Sequence, residues 1–219
     1  MTATGKKLLL IGFEPFGGES INPSAEVARA LDATDIRDAH IVAAILPVAF
    51  GRVVDALDSL LRTHRPDFVV ALGQAGGRNA ISFERIAVNL IDARIADNDG
   101  SQPIDAPVIA DAPAAYFSTL PVKAMYARLD ALGIPAALSH SAGTFVCNQV
   151  FFALAHWTAM HAPATRVGFI HLPWLPEQAA RHQDEPDMTL ETMSAAIRMA
   201  IDCALTTPTD AHVAGGDTH

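Results

Sequence analysis

Two cysteines in 219 residues leave no room for a disulfide framework, so reduced thiols and a cytoplasmic setting are the expectation. No run approaches the roughly 20 apolar residues that a membrane-spanning helix needs. Lys6-Lys7 ahead of Leu8-Leu9-Leu10-Ile11 has the charge order of a secretion signal. That apolar run is too short, and Glu14 interrupts the stretch beyond it. Positive charge is in deficit: 15 Lys and Arg stand against 24 Asp and Glu, a net charge of −9. Nucleic acid and anionic membrane surfaces both reward a basic face, so neither is expected as a partner. No internal repeat is visible.

Several ligand loops are incomplete. Gly12-Phe13-Glu14-Pro15-Phe16-Gly17-Gly18 has the glycines of a phosphate loop, but Gly18 stands where the lysine should be. Gly73-Gln74-Ala75-Gly76-Gly77 is not the dinucleotide fingerprint, and its glycines read as tight turns and close backbone approach at a strand end. Ser139-His140-Ser141-Ala142-Gly143 lacks the first glycine of a serine nucleophile elbow, which leaves Ser141 behind other candidates. The chain has nine histidines, yet no His-x-x-x-His with a third ligand nearby. His156 and His161 are five apart, off a shared helical face. No metal site is expected. His40, His64, His140, His156, His161, His182, His212 and His219 read as solvated or core residues.

What is present is apolar and periodic. Half of the residues are hydrophobic, and the length suits one domain with a substantial core. Near-continuous apolar runs at about 6–12, 41–46, 67–72, 85–91 and 166–172 read as strands buried on both faces. Helical patterns lie between them. Asn22-Pro23 is an N-cap with proline at the first helical position, opening a helix to about Leu31. Val53, Leu57, Leu60, Leu61 and His64 share a face that Pro66 terminates. Further helices are expected over 121–132, ended by Gly133, and after Cys147 through Val150, Phe151, Leu154, Ala155 and Thr158. The last carries Leu190, Met193, Ile197, Ile201 and Leu205. Alternating strands and helices predict a single-domain, three-layer α/β/α sandwich around a mostly parallel, mixed sheet, phosphorylase/hydrolase-like in kind. The domain is expected over 1–206, with a flexible tail over 207–219. Residues 96–120, irregular and rich in Asp, Pro and Ala, read as a functional lid or an assembly surface.

Cys147 comes after a loop of small residues and precedes an apolar helical run. A thiol at a helix start sits where backbone N–H groups and the macrodipole favour thiolate, the nucleophilic form. His171 ends a predicted strand 24 residues on (171 − 147). In open α/β sheets the carboxyl ends of strands and the adjacent helix starts share one edge, which puts both residues there. Glu84, charged at the entrance of an apolar strand, is the candidate to hold the imidazole N–H while the other ring nitrogen takes the thiol proton. Bland alternatives stand beside this reading. A buried cysteine is usually an inert small hydrophobe, as expected for Cys203, and Glu84 could simply pair with Arg85 or Arg78.

With those residues placed, the chain resembles the type I pyroglutamyl peptidase (pyrrolidone-carboxylate peptidase) family from about residue 7 to 200. The resemblance rests on Gly12 through Gly18 with Asn22-Pro23-Ser24; Leu46-Pro47-Val48; Gly76-Gly77-Arg78 through Glu84-Arg85-Ile86-Ala87-Val88-Asn89; Asp92-Ala93-Arg94 with Asp97-Asn98; and Ser139 through Cys147-Asn148. It implies a cofactor-free cysteine peptidase with Glu84, Cys147 and His171 as its triad. The substrates would be peptides with an N-terminal pyroglutamate, and the assembly a homo-oligomer, tetramer or dimer. It also implies Phe13 and Phe16 as aromatic walls of the pocket. Phe145 and Val146, beside the nucleophile, are candidates to complete it, with Gln74 and Asn22 as hydrogen-bonding candidates for the lactam. Backbone N–H groups near Cys147, with Arg94 nearby, are expected to hold the oxyanion. The competing readings are a nucleoside-phosphorylase-like enzyme, which the incomplete phosphate loops count against, and a lactam- or peptide-binding module with a degenerate triad.

Overall fold

Side chains alternate between the two faces of a strand, and the strands of this chain are apolar on both. The computed structural model describes residues 5–182 and 185–216. Its strands are β1 (Lys6–Phe13), β2 (Asp35–Ile36), β3 (Ala39–Leu46), β4 (Phe68–Gln74), β5 (Ile81–Glu84), β6 (Ile86–Val88), β7 (Ala115–Phe117), β8 (Ala136–Ser139) and β9 (Arg166–Leu172). Its helices are α1 (Pro23–Leu31), α2 (Val53–His64), α3 (Val122–Asp130), α4 (Val146–His161), α5 (Pro176–Ala179) and α6 (Leu190–Thr206). Seven strands form one sheet in the order β2-β3-β1-β4-β9-β5-β8. It is parallel except where β2 meets β3 and β5 meets β9.

The alternation builds two cores. Leu8, Leu10, Val70, Leu72, Ile170 and Leu172 face α1, α3 and α6. Leu9, Ile11, Phe13, Val69, Ala71 and Phe169 face α2 and α4. The result is the expected three-layer α/β/α arrangement with a mixed, mostly parallel sheet. Of the helices, α4 is apolar nearly all round because it is enclosed by the sheet, α2 and the β6–β7 pair.

Local signals account for the helix ends. Asn22 accepts from Ser24 N at 3.0 Å and Pro23 takes the first helical position of α1. Arg65, at φ 44°, ends α2 in the left-handed region just before Pro66. Thr189 caps α6 by accepting from Thr192 N at 3.2 Å.

One expected strand, 85–91, is placed differently. The sheet strand is β5, which ends before that range begins, and the chain leaves the sheet after Arg85. β6 then pairs with β7, so the irregular stretch 96–120 contains a short strand and folds back onto the body. Residues 207–216, the described part of the expected tail, are tied to α3. Asp210 accepts from Lys123 N (3.2 Å) and Ala124 N (3.0 Å), supplying a cap that Pro121 cannot. Residues 217–219 of that tail lie outside the described residues.

Candidate active site

The N-terminus of α4 carries no side-chain cap. Its first ladder bond is Gln149 N to Phe145 O at 3.1 Å, so the N–H groups of Val146, Cys147 and Asn148 precede the helical hydrogen bonds. Cys147 is the second residue of the helix and half-buried. The next residue locks the helix in place. The fully buried Asn148 accepts from Val88 N (3.0 Å) and donates to Val88 O and Leu90 O (2.9 Å each). It thereby satisfies main-chain groups that β6 leaves unpaired.

His171 is the penultimate residue of β9, and alternation with Phe169 turns it toward the α4 side of the sheet. Its backbone neighbours are Gly73 on β4 and Ser82 on β5. Gly73 must be glycine for steric reasons. A Cβ there would stand 2.7 Å from the Phe169 ring and 2.9 Å from His171 Cδ2. The glycine leaves space for the imidazole.

Glu84 closes β5 and is fully buried. Its Oε1 lies 2.7 Å from His171 Nδ1 and 2.8 Å from Arg78 NH1. A carboxylate can only accept, so Nδ1 carries the proton and Nε2 is left as the basic nitrogen. The alternatives for Glu84 therefore coexist: one oxygen serves both Arg78 and the histidine. Arg85 instead donates to His140 Nε2 at 2.9 Å. Burial pushes the Glu84 carboxyl up. Hydrogen bonding and charge from His171, together with Ser139 and Arg78, outweigh it and hold the group below its ordinary range.

The thiol behaves against expectation. Burial, reinforced by the negative charge of Glu84, pushes Cys147 up to about 12, while Arg78 and the Cys147 backbone N–H only partly offset this. The helix start does favour thiolate, but desolvation is the larger effect here.

Cys147 and His171 share a cavity of about 230 Å³ with Phe16, Gln74, Asp92, Arg94, Ile95, Ala142, Thr144 and Phe145. Phe145 stacks edge-on against Phe50 (5.1 Å) and tilts toward Phe16 (5.9 Å), so three aromatic rings support one wall. Arg94 is exposed at the rim. The remaining candidates stand elsewhere. Phe13 is buried against Phe169 at 6.1 Å, because strand alternation turns it into the α2–α4 core. Val146 sits on the inward face of α4 in the same core. Asn22 is engaged as the α1 cap, binding Ser24 and donating to Glu14 O at 3.0 Å. Ser141 is exposed and does not line this cavity.

Gln178, which sequence reasoning did not single out, is fully buried behind the cavity and holds Gln74. Its one local sign is a glutamine at the third position of α5, bonded to Leu175 N; the partners of its Nε2 lie 104 to 159 residues away. Among the described residues, no group of three or more His, Cys, Asp or Glu is placed to hold a metal ion. No helix among them is long and apolar enough to cross a membrane.

A family model described as pyroglutamyl peptidase matches residues 6–207. The pyrrolidone-carboxylate peptidase of Cupriavidus taiwanensis is 55% identical over 97% of this chain and 99% of that protein. That of Bacillus thuringiensis is 46% identical over 98% and 100%. The crystal structure of pyroglutamyl peptidase I from Bacillus amyloliquefaciens superposes with a TM-score of 0.93, at 40% identity, over 96% of this chain and 100% of that one. A mutant pyrrolidone carboxyl peptidase from Pyrococcus furiosus gives 0.88 at 44% identity, over 91% and 98%. The chain belongs to the pyroglutamyl peptidase family and is a hydrolase of the cysteine omega-peptidase kind.

Proposed function

We propose that this member of the family removes an N-terminal pyroglutamyl residue from peptides by nucleophilic catalysis at Cys147, with His171 as base and acid and Glu84 as its anchor. The observation that carries the reading is the buried His171 Nδ1–Glu84 Oε1 hydrogen bond of 2.7 Å behind a cavity that Cys147 also lines. It sets the tautomer in which Nε2 can accept a proton.

Pyroglutamate is a small, flat, uncharged lactam. A cavity of about 230 Å³ walled by Phe16 and Phe145 suits one such ring. A free α-amino group would have to give up its hydration against the Phe16 and Phe145 walls, a cost the neutral lactam does not carry, so ordinary N-terminal glutamate or glutamine is expected to be disfavoured. His171 Nε2 takes the Cys147 proton as sulfur attacks the carbonyl that joins pyroglutamate to the next residue. Negative charge grows on the carbonyl oxygen, and the N–H groups at the start of α4 that precede its helical hydrogen bonds are the donors that meet it, with Arg94 at the rim. The C–N bond breaks as His171 protonates the leaving amine. A water, deprotonated by the same imidazole, then attacks the thioester and releases pyroglutamate and the thiol.

The test is release of a chromogenic amine from a pyroglutamyl amide under reducing conditions, for wild type and Cys147→Ala. Activity in the first and none in the second is expected. A folded, reduced wild type without activity overturns the reading, and activity surviving in Cys147→Ala moves the nucleophile elsewhere, with Ser141 next. We place the peptidase in residues 1–206, in a reducing cytoplasm suited to two unpaired thiols. We place part of a subunit interface on residues 95–120, where Ile104 and Phe117 are 69% and 66% exposed. Phe117→Asp should yield smaller assemblies on sizing, and an unchanged assembly would refute that placement.

A further inference from the structure

Gln178 has no direct access to the cavity, yet its surroundings dictate which way its amide faces. Its Oε1 accepts from the Leu175 backbone N–H at 3.2 Å. Its Nε2 donates toward Ile21 O (3.2 Å), Glu19 Oε2 (3.2 Å) and Gln74 Oε1 (2.9 Å). Turning the amide over would set Nε2 against an N–H and Oε1 against a carbonyl and a carboxylate. A main-chain donor on one side and obligate acceptors on the other therefore fix its polarity. Glu19 is itself held in place. His182 Nε2 lies 2.9 Å from its Oε1, and the His182 ring stacks on Trp174 at 4.6 Å.

The consequence passes to the cavity. Because Gln178 presents N–H to Gln74, the near atom of the Gln74 amide must be its oxygen. The far atom is then Nε2, which has no hydrogen-bond partner among the described residues although Gln74 lines the cavity wall. We propose that Gln178 is a positioning residue that locks Gln74 as a hydrogen-bond donor toward the pocket, so that the site selects a ring bearing a carbonyl acceptor. This rests on the peptidase reading and specifies how its pocket discriminates. Without the lock, Gln74 could present either end of its amide, and a ring without a strong acceptor would be tolerated equally well.

The experiment compares two chromogenic amides, 5-oxoprolyl and 5-thioxoprolyl, the second carrying a much poorer acceptor on the same ring. Wild type should prefer the oxo substrate by roughly tenfold in kcat/KM, the scale of one good hydrogen bond. Gln178→Met removes donor and acceptor at similar volume. Gln178→Glu keeps the Leu175 bond but turns the donor into an acceptor. In both variants kcat/KM for the oxo substrate should fall about tenfold through KM, with the thioxo substrate little changed, so the preference collapses. In a Gln74→Leu background, Gln178→Met should leave the ratio unaltered. Two variants guard against one failing to fold, and circular dichroism with Tm checks each. Equal losses on both substrates mean a merely structural residue and overturn the proposal, as does an unchanged preference. A folded wild type that cleaves neither amide overturns the peptidase reading instead.

Discussion

Replacing Glu84 by glutamine should lower activity and, at the same time, make the Cys147 thiol easier to ionise. Glutamine keeps the shape of a fully buried side chain and an oxygen for the Arg78 guanidinium, but removes the charge. Its amide can also offer an N–H to His171 Nδ1, which would move the ring proton to Nε2 and take away the base. In the serine-protease triad the equivalent loss of the carboxylate costs about 10⁴-fold. A thiol is the stronger acid, so about 10² to 10⁴ in kcat is expected here. The opposite effect falls on sulfur. Glu84 is one of the two influences that hold Cys147 near 12, burial being the larger. Taking a separation of roughly 8 Å and an effective dielectric of about 20, losing that charge relieves the thiolate by ~2 kcal/mol. That is about one and a half pH units. The assay pairs kcat from amide release with the pH profile of iodoacetamide alkylation of Cys147, read by peptide mass with Cys203 as internal reference. The expected result is a slower enzyme whose alkylation profile moves to lower pH. Full activity would refute the anchoring of His171. A profile that stays put or moves up would refute the electrostatic account of the thiol.

The packing and the charges lead to three further outcomes. Gly73→Ala inserts a Cβ against Phe169 and His171, so it should cost about 1–3 kcal/mol of stability and cut kcat well beyond what the lowered Tm explains. A folded variant with parental kcat would show that the ring is placed by something else. Asn148→Ala strands two carbonyls and one N–H, for about 2–4 kcal/mol; at about 2–4 °C per kcal/mol its Tm should drop by roughly 4–16 °C. Glu84, held below its ordinary value of 4.5, contributes stability that is fully present above that pH and lost as pH falls through the lower folded value. Denaturant midpoints taken from about pH 6 down to about 3 should therefore fall less steeply for Glu84→Gln than for wild type.

The elements most legible in the sequence are those whose signals are long or carry their own chemistry. β1, β4 and β9 are continuous apolar runs, and α1 announces itself through Asn22-Pro23. Elements defined by distant partners carry no such sign. β8 is a four-residue edge strand of half-buried residues, and β6 leaves the sheet for partners distant in sequence, β7 and Asn148, the latter holding Val88 from 60 residues away. The same division holds at the site. Cys147, His171 and Glu84 stand out as chemistry-bearing residues at element ends. The pocket residues split according to which face each presents: Phe16, Gln74 and Phe145 line the cavity, while Phe13 and Val146 turn into the core. Asn22 illustrates the remaining ambiguity, for a polar side chain that reads as a ligand contact and as a helix cap can be only one at a time.

A thiol whose ionisation is disfavoured by desolvation changes what the start of α4 is for. A helix terminus beside a resting thiolate would have its donors engaged in the ground state, and that stabilisation would have to be surrendered when sulfur attacks. Here desolvation disfavours the thiolate, and no side chain caps the helix, so the N–H groups of Val146, Cys147 and Asn148 stay outside the helical ladder. On the proposed mechanism they meet a charge only when the carbonyl oxygen acquires one. Interactions that strengthen in the transition state raise the rate, whereas equal binding of ground and transition states does not. The same reasoning gives Glu84 a role limited to the moment of transfer. Its charge raises the cost of the thiolate at rest, yet on the proposed mechanism it would stabilise the imidazolium formed when His171 takes the proton. On the proposed mechanism, desolvation of the Cys147 sulfur holds back its ionisation until a carbonyl is in place to use it.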